Sequence, residues 1–139
     1  MKGPTLEVRL VTEAPSADSD AMMLTNKQQN GSPTQEVVHV KRTLLLSQAA
    51  VRAVWVWKRG EVVGIDITLT DAAKTQLAEL TRQNVGKRLA IVIDGRLRSA
   101  PKIMDEIDNG SFTVTSDWTL AEVQQLADRF EAAGAERGK

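Results

Sequence analysis

Few side chains in this sequence of 139 residues are suited to covalent or metal chemistry. It contains no Cys and one His, His39, which excludes thiolate nucleophiles, thiolate metal sites and histidine clusters within one subunit. A small hydrolase or transferase would need the carboxylates of Asp66, Asp71 and Asp94 to converge in one cleft. Because no pair of residues meets that minimum in the sequence, we predict a non-enzymatic protein without a metal or cofactor.

The individual candidates also have structural interpretations. Asp94 precedes Gly95, and an Asp at the tip of such a hairpin normally forms the turn. Asp66 stands in an apolar strand, where alternation predicts that it points outward. His39 is expected on a solvated strand face, and Ser99 has no adjacent base to activate it.

Charge balance argues against a protein that coats nucleic acid. Lys and Arg number 18, as do Asp and Glu, so the formal net charge is zero. One group of cationic residues has a single acid, Asp94, among its neighbours in sequence: Arg82, Lys87, Arg88, Arg96, Arg98 and Lys102. This group lacks interleaved aromatic residues, so we do not predict nucleic acid as a partner. In the alternative case, binding would fall steeply with salt.

Two helices and a set of strands are expected to position these side chains. The helices are predicted at residues 71–83 and 120–132, because Thr70 is a suitable N-cap and Thr119 with Glu122 forms a capping box. The strands are predicted at residues 6–11, 37–40, 52–57, 61–69, 89–93, 96–100 and 111–115. This order predicts a single α+β domain over residues 1–139, a mainly antiparallel sheet with two helices packed on one face.

The predicted core joins the apolar stripes of both helices to one central strand. The residues expected to meet there are Leu77, Leu80, Val123, Leu126 and Phe130 from the helices and Leu89, Ile91 and Ile93 from the strand. Residues 13–35 form a polar connector whose apolar cluster is Met22, Met23 and Leu24. A connector of this length is either mobile or functional, and we predict a mobile insert.

Residues 69–103 carry a specific resemblance. The string LTDAAKTQLAELTRQNVGKRLAIVIDGRLRSAPKI resembles the head subdomain of the first periplasmic domain of the SecD/SecDF family of protein-export membrane proteins. The positions that carry it most clearly are Asn84, Gly86, Lys87, Arg88, Asp94, Gly95, Ser99, Ala100 and Pro101. Residues 112–114 and the helix beginning after Trp118 also resemble this family, and residues 6–11 resemble it more loosely.

This resemblance implies both a cellular location and a function. Members of the family are accessory subunits of the Sec export machinery, anchored by transmembrane helices. The resemblance thus implies an extracytoplasmic, non-enzymatic domain that aids export by transient contact with unfolded or translocating polypeptide, with Sec translocon components as candidate partners. Residues 43–57, the most apolar stretch, are too short and too interrupted to span a membrane, so we expect anchoring through a segment absent from this chain. The alternative is a stand-alone exported binding or scaffold module on the same fold, uncoupled from the translocon.

Four side chains are candidates for polypeptide contact. Trp55 and Trp57 fall on one strand face and could form an apolar platform, with Met22 and Met23 as adaptable additional contacts. A free strand edge would supply backbone hydrogen bonds to any sequence. The other interpretation is that these residues stabilise the fold. Because the sequence has only five aromatic residues, we expect at least one of the two Trp rings in the core.

Overall fold

The computed structural model describes residues 3–27 and 33–138. Within these ranges the chain forms ten strands, two α-helices and a short 3-10 helix at Gln48–Ala50. The helices are α1 (Asp71–Gln83) and α2 (Leu120–Ala132). The strands are β1 (Leu6–Thr12), β2 (Ser19–Lys27), β3 (Pro33–Lys41), β4 (Leu46–Ser47), β5 (Val51–Arg59), β6 (Val62–Leu69), β7 (Leu89–Ile93), β8 (Arg96–Ser99), β9 (Ser111–Thr115) and β10 (Glu136–Arg137).

The strands divide between two sheets. The first has the order β2-β3-β1-β7-β8, with β4 paired beside β1, and the second has the order β10-β5-β6-β9. Every pairing between these strands is antiparallel except that of β10 with β5. The predicted α+β class, with two helices and mainly antiparallel strands, is confirmed. The sequence predicted one sheet, and the structure has two because the β5–β6 hairpin takes β9 as its neighbour.

The main core joins both sheets to one stripe of each helix. Alternation along β6 turns Val63, Ile65 and Ile67 inward. The predicted helix–strand core is confirmed, since the following residues share this cluster: Leu77, Val123, Leu126, Phe130, Leu89, Ile91 and Ile93. Leu80 is only partly buried at the margin of the cluster.

A second, smaller core lies on the other face of β7. Ala90 and Val92 pack there with residues of β2, β3 and β8, namely Leu24, Val38, Val40 and Leu97. The first sheet therefore curls so that its β2–β3 hairpin covers this face of β7, which explains why β7 is buried throughout its length.

Strand β2 lies inside the segment for which the sequence predicted only a connector. Met22 and Leu24, two residues apart, both pack against the second core, which gives this mostly polar stretch one apolar face. The mobility of residues 13–35 remains a prediction, and residues 28–32 of that segment lie outside the described residues.

The predicted helix starts and turns are confirmed. The Thr70 side chain accepts a hydrogen bond from the backbone N–H of Ala73 at the start of α1, and Thr119 with Glu122 forms the capping box of α2. Asp94 and Gly95 both have positive φ, 52° and 81°, as the tight β7–β8 turn requires. In the ranges that the structure covers, no helix is both long enough and apolar enough to cross a membrane.

Candidate functional site

Both Trp residues of β5 lie on the outer face of the second sheet. Antiparallel register places Trp55 opposite Asp66 and Trp57 opposite Gly64. The alternate residues of β5, Val54 and Val56, pack in or against the core. The interpretation that one Trp ring lies in the core is therefore wrong: Trp55 is 36% exposed and Trp57 is half-buried outside both clusters.

The Trp57 indole is held in one position by its neighbours. It lies against Gly64, where an added Cβ would come within 2.3 Å of the ring. Its Nε1–H donates to Asp66 Oδ1 at 2.9 Å, and the Thr113 hydroxyl donates to the same oxygen at 2.6 Å. The Arg59 guanidinium carbon lies 5.7 Å from the ring centroid. Asp66 thus points outward as predicted, and its carboxylate fixes the indole.

The two Met residues belong to the other sheet. Met22 faces the second core, whereas Met23 is 49% exposed and lies opposite Val37, itself 55% exposed. Both Met residues line a cleft of about 400 Å³ whose other wall contains Arg96 and Leu97 of β8. Strands β2 and β8, the two ends of the first sheet, therefore face each other across this cleft. The structure does not place the Met and Trp pairs on one sheet.

The sequence did not identify an apolar groove that lies beside α1. This groove has a volume of about 460 Å³ and lies between α1 and the segment that leads into β4. Its lining residues are Leu45, Leu46, Thr75, Gln76, Glu79, Leu80 and Gln83. A second cavity of about 330 Å³ shares Leu45, Leu46 and Gln76 and extends around the start of α1. The two cavities are therefore adjacent along α1.

One sequence signal could have indicated this groove. Three consecutive leucines, Leu44, Leu45 and Leu46, cannot all face the core from an extended segment, because successive side chains point to opposite sides. In the structure Leu46 is buried in the core, while Leu45, the next residue along the chain, is half-buried and lines the groove; Leu44 is 50% exposed.

The positions that carry the family resemblance stabilise the β7–β8 hairpin and its ends. The Asn84 side chain donates to the Leu80 carbonyl, and Gly86 adopts a φ of 91° while its N–H donates to Ile103. Arg88 Nε donates to the Ala100 carbonyl, and the Pro101 carbonyl accepts from Leu89 N–H. Ser99 pairs with Ile91, and Lys87 accepts through its carbonyl from Ile103 N–H. These contacts hold the hairpin and the segments next to it in their fold.

Asp94 connects this hairpin to the rest of the domain. Its carboxylate accepts from the backbone N–H of Thr5 at 3.0 Å and from Arg129 at 2.6 Å. Burial alone would raise the pKa of Asp94, but the hydrogen bonds from Arg129 and Thr5 outweigh it, so the pKa lies below its usual value.

The cationic group has more acidic partners than its sequence neighbours suggest. Arg88 forms an ion pair with Glu36 at 2.7 Å, and the Arg88 guanidinium lowers the pKa of that carboxyl. Arg96 and Arg98 share Asp117, and Arg82 pairs with Glu79. Glu36 and Asp117 come from segments distant in sequence, and Glu79 lies one turn before Arg82 on the same face of α1. Arg82, Arg88, Arg96 and Arg98 therefore each have an acidic partner.

The three candidate carboxylates lie on different elements. Asp66 is on the outer face of β6, Asp71 begins α1, and Asp94 forms the β7–β8 turn of the other sheet. Asp66 and Asp94 are occupied by structural hydrogen bonds. Among residues 3–27 and 33–138, no group of three His, Cys, Asp or Glu residues is placed to hold a metal ion.

Comparison with known sequences gives a consistent match. The sequence model described as SecDF, P1 head subdomain, matches residues 21–134. SecD from Sebaldella termitidis is 40% identical over 68 residues, which are 49% of this chain and 17% of that protein. SecD from Magnetococcus marinus is 29% identical over 112 residues, 80% of this chain and 21% of that protein. The chain thus spans about one-fifth of the length of these two curated relatives.

Two solved structures share the fold. A structure of SecDF, a membrane component that enhances protein export, superposes with a TM-score of 0.69 at 22% identity, covering 94% of this chain and 63% of the other. A crystal structure of SecDF in its super-membrane-facing form gives a TM-score of 0.69 at 24% identity, covering 92% of this chain and 18% of the other. At these identities the superpositions show a common fold.

Proposed function

Because this chain belongs to the SecDF P1 head subdomain family, we propose that it is an extracytoplasmic, non-catalytic domain that aids protein export by transient contact with unfolded polypeptide. Sec translocon components are proposed as further partners. The observation that carries the polypeptide contact is the open apolar groove along α1.

The groove suits an extended segment with apolar side chains. Leu45, Leu46 and Leu80 supply an apolar floor, so affinity arises from burial and tolerates different side chains. Gln76 and Gln83 on the wall can both donate and accept hydrogen bonds, which matches the alternating groups of a polypeptide backbone. Such a site would recognise extended chain without a strict sequence requirement.

Two further surfaces are proposed as secondary contacts. Trp55 and Trp57 offer aromatic surface on β5, and Met22 and Met23 line the cleft beside β8. Strand β9, the end of the second sheet, is an edge to which a polypeptide could add backbone hydrogen bonds. We propose the groove as the main contact because it is the larger concave apolar surface.

Polypeptide transport requires release, so the expected affinity is modest. We expect a dissociation constant on the order of 1 μM, about −8 kcal/mol. Because the groove is lined by apolar and uncharged groups with one carboxylate, Glu79, binding should change little between low and high salt. A contact through the cationic hairpin would instead weaken steeply as salt is raised.

The test is a titration of a permanently unfolded polypeptide against the chain by fluorescence anisotropy. Gln76 is exposed and lines both parts of the groove, so Gln76→Trp should obstruct it and weaken binding by about 10-fold or more. Gln124→Trp is the matched control, because Gln124 is an exposed residue of α2 and should leave binding unchanged. Trp57→Ala measures how much the secondary contact on β5 contributes to the binding affinity.

The outcomes separate the alternatives. Loss of binding with Gln76→Trp alone supports the groove, and loss with Trp57→Ala alone moves the contact to β5. Absence of binding at high concentrations of the wild-type chain would refute the polypeptide contact and leave a scaffold or assembly role.

A further inference from the structure

Arg98 occupies an irregular position on β8. The register pairs Ser99 with Ile91 and Leu97 with Val92, so Arg98 is the extra residue of a β-bulge. A bulge redirects a side chain that regular pairing would place elsewhere. Leu97 packs into the second core, whereas the Arg98 side chain lines a cavity beside α2 and is only 16% exposed.

Arg98 has a long ion pair that it shares with Arg96, although the charges of Asp117, Glu122 and Asp94 offset part of its own. Its closest ion-pair contact is with Asp117 at 3.4 Å, but Arg96 holds that carboxylate more closely, at 2.8 and 3.1 Å. Arg98 Nε is buried and has no hydrogen-bond partner in the described ranges. Burial, and then the charge of Arg96, lower the pKa of Arg98. A buried guanidinium with an unpartnered donor is costly, because the lost hydration of that donor is not replaced.

The adjoining cavity is large enough for a small ligand. It has a volume of about 200 Å³ and lies between the β7–β8 hairpin and α2. Since one water takes up about 30 Å³ of liquid, this space exceeds what a single bridging water would fill. Ile93 and Leu126 give it apolar walls, and the Trp118 ring, fixed by a bond from its Nε1–H to the Val63 carbonyl, lies 5.0 Å from the Arg98 guanidinium.

The other charged groups of the cavity already have partners. The Asp94 carboxylate is bonded by Arg129 and by Thr5 N–H. Glu122 Oε1 accepts from the backbone N–H and the hydroxyl of Thr119 in the capping box. Among the described charged groups that line this cavity, the donor without a partner is therefore Arg98 Nε, and the two carboxylates disfavour a doubly charged anion more than a singly charged one.

We propose that this cavity binds one monovalent carboxylate, with its oxygens on the Arg98 guanidinium and its apolar stem against Ile93 and Leu126. The source is either a small free carboxylate or the acidic side chain of a polypeptide. Carboxylate is the favoured oxyanion because it matches the guanidinium in two parallel hydrogen bonds and carries a single charge. This site involves residues other than those of the groove and does not rest on the proposed function.

The test uses the indole N–H resonances of the three Trp residues in the full chain. Sodium propionate is titrated in, with sodium chloride at equal ionic strength as the reference. Trp118 should show a saturable shift with a dissociation constant on the order of 1 mM, while Trp55 and Trp57 remain unchanged. Arg98→Met should weaken binding at least about 10-fold, whereas Lys102→Gln, which removes an exposed cation outside the cavity, should retain it.

Three further measurements make the result decisive. Retained dispersion of the Trp55 and Trp57 resonances shows that Arg98→Met is folded; if it is not, Arg98→Gln replaces it. N-acetylglutamate N-methylamide in place of propionate distinguishes a side-chain source from a free carboxylate. A Trp118 shift that is equal in chloride, that persists without the Arg98 guanidinium, or that phosphate produces as strongly as propionate would overturn the proposal.

Discussion

The Trp57 indole occupies the space that a side chain at residue 64 would fill on the neighbouring strand. Its ring lies against Gly64, and its N–H donates to Asp66 two residues further along β6. The glycine is required by this close approach, since its own backbone is regular strand and an added Cβ would lie 2.3 Å from the ring.

Gly64→Ala should displace this indole and break its bond to Asp66. We expect a loss of about 1–3 kcal/mol in the free energy of unfolding, from overpacking and the lost hydrogen bond. Urea denaturation measures the loss, and the cycle with Trp57→Ala isolates its cause. If Gly64→Ala costs as much in the Trp57→Ala background, the contact is not the reason.

Leu126→Ala should destabilise the domain because Leu126 is buried where α2 meets the main core. Removal of this side chain should cost roughly 2–5 kcal/mol of unfolding free energy. Leu44→Ala is the matched control: Leu44 is half exposed, so its truncation should stay within about 0.5 kcal/mol. Similar urea midpoints for the two variants would contradict the assigned core.

Proteolysis should first cut the chain within residues 13–35. Most of this segment is polar, and within its described part Met22 and Leu24 are the side chains that pack against the second core. Little apolar burial offsets the entropy lost on ordering such a segment. Limited digestion followed by mass spectrometry locates the first cut, and uniform protection of the segment would show that it is firmly docked.

Acid should weaken the domain in part through Asp94. The pKa of Asp94 is lowered in the folded state from its ordinary value of 3.8, so its stabilising contribution is present above that pH and is lost as pH falls below it. Asp94→Asn keeps a residue that tolerates positive φ but removes the charge. Its urea midpoint should fall at pH 7 and change less than that of the wild type on acidification.

The exposed Asp108 provides the control for this pH series. Asp108→Asn should leave the midpoint and its pH dependence close to those of the wild type. If the urea midpoint of Asp94→Asn falls on acidification as much as that of the wild type, the bond between Asp94 and Arg129 does not contribute to the pH dependence of stability.

Local sequence signals predicted both helices and most strands, because caps, turns and alternation act over a few residues. Thr119 with Glu122 and Asp94 with Gly95 are examples whose geometry is set by the residues themselves. The division into two sheets was not predictable in this way. It depends on which hairpins meet, as when β9 joins β6 across more than 40 residues of chain.

The candidate sites were harder to predict because they depend on contacts distant in sequence. The position of the Trp57 ring outside the core could be predicted only by knowing that Gly64 lies opposite it on the neighbouring strand. Strand β2 was missed because its composition is polar, and the second core that Met22 and Leu24 contact comes from other strands. The weak ion pair of Arg98 could not be predicted, because it depends on Arg96 holding the same Asp117 carboxylate more closely.

The facing positions of β2 and β8 have a consequence for aggregation. Each strand ends the first sheet and so has a row of backbone groups without a ladder partner, the usual starting point for pairing between molecules. The two strands line the same cleft, so β8 hinders the approach of a second molecule to β2, and β2 hinders its approach to β8. Detachment of the β2–β3 hairpin would uncover both edges and the apolar face of β7 at once, so we expect association between copies to begin with that local opening rather than with global unfolding.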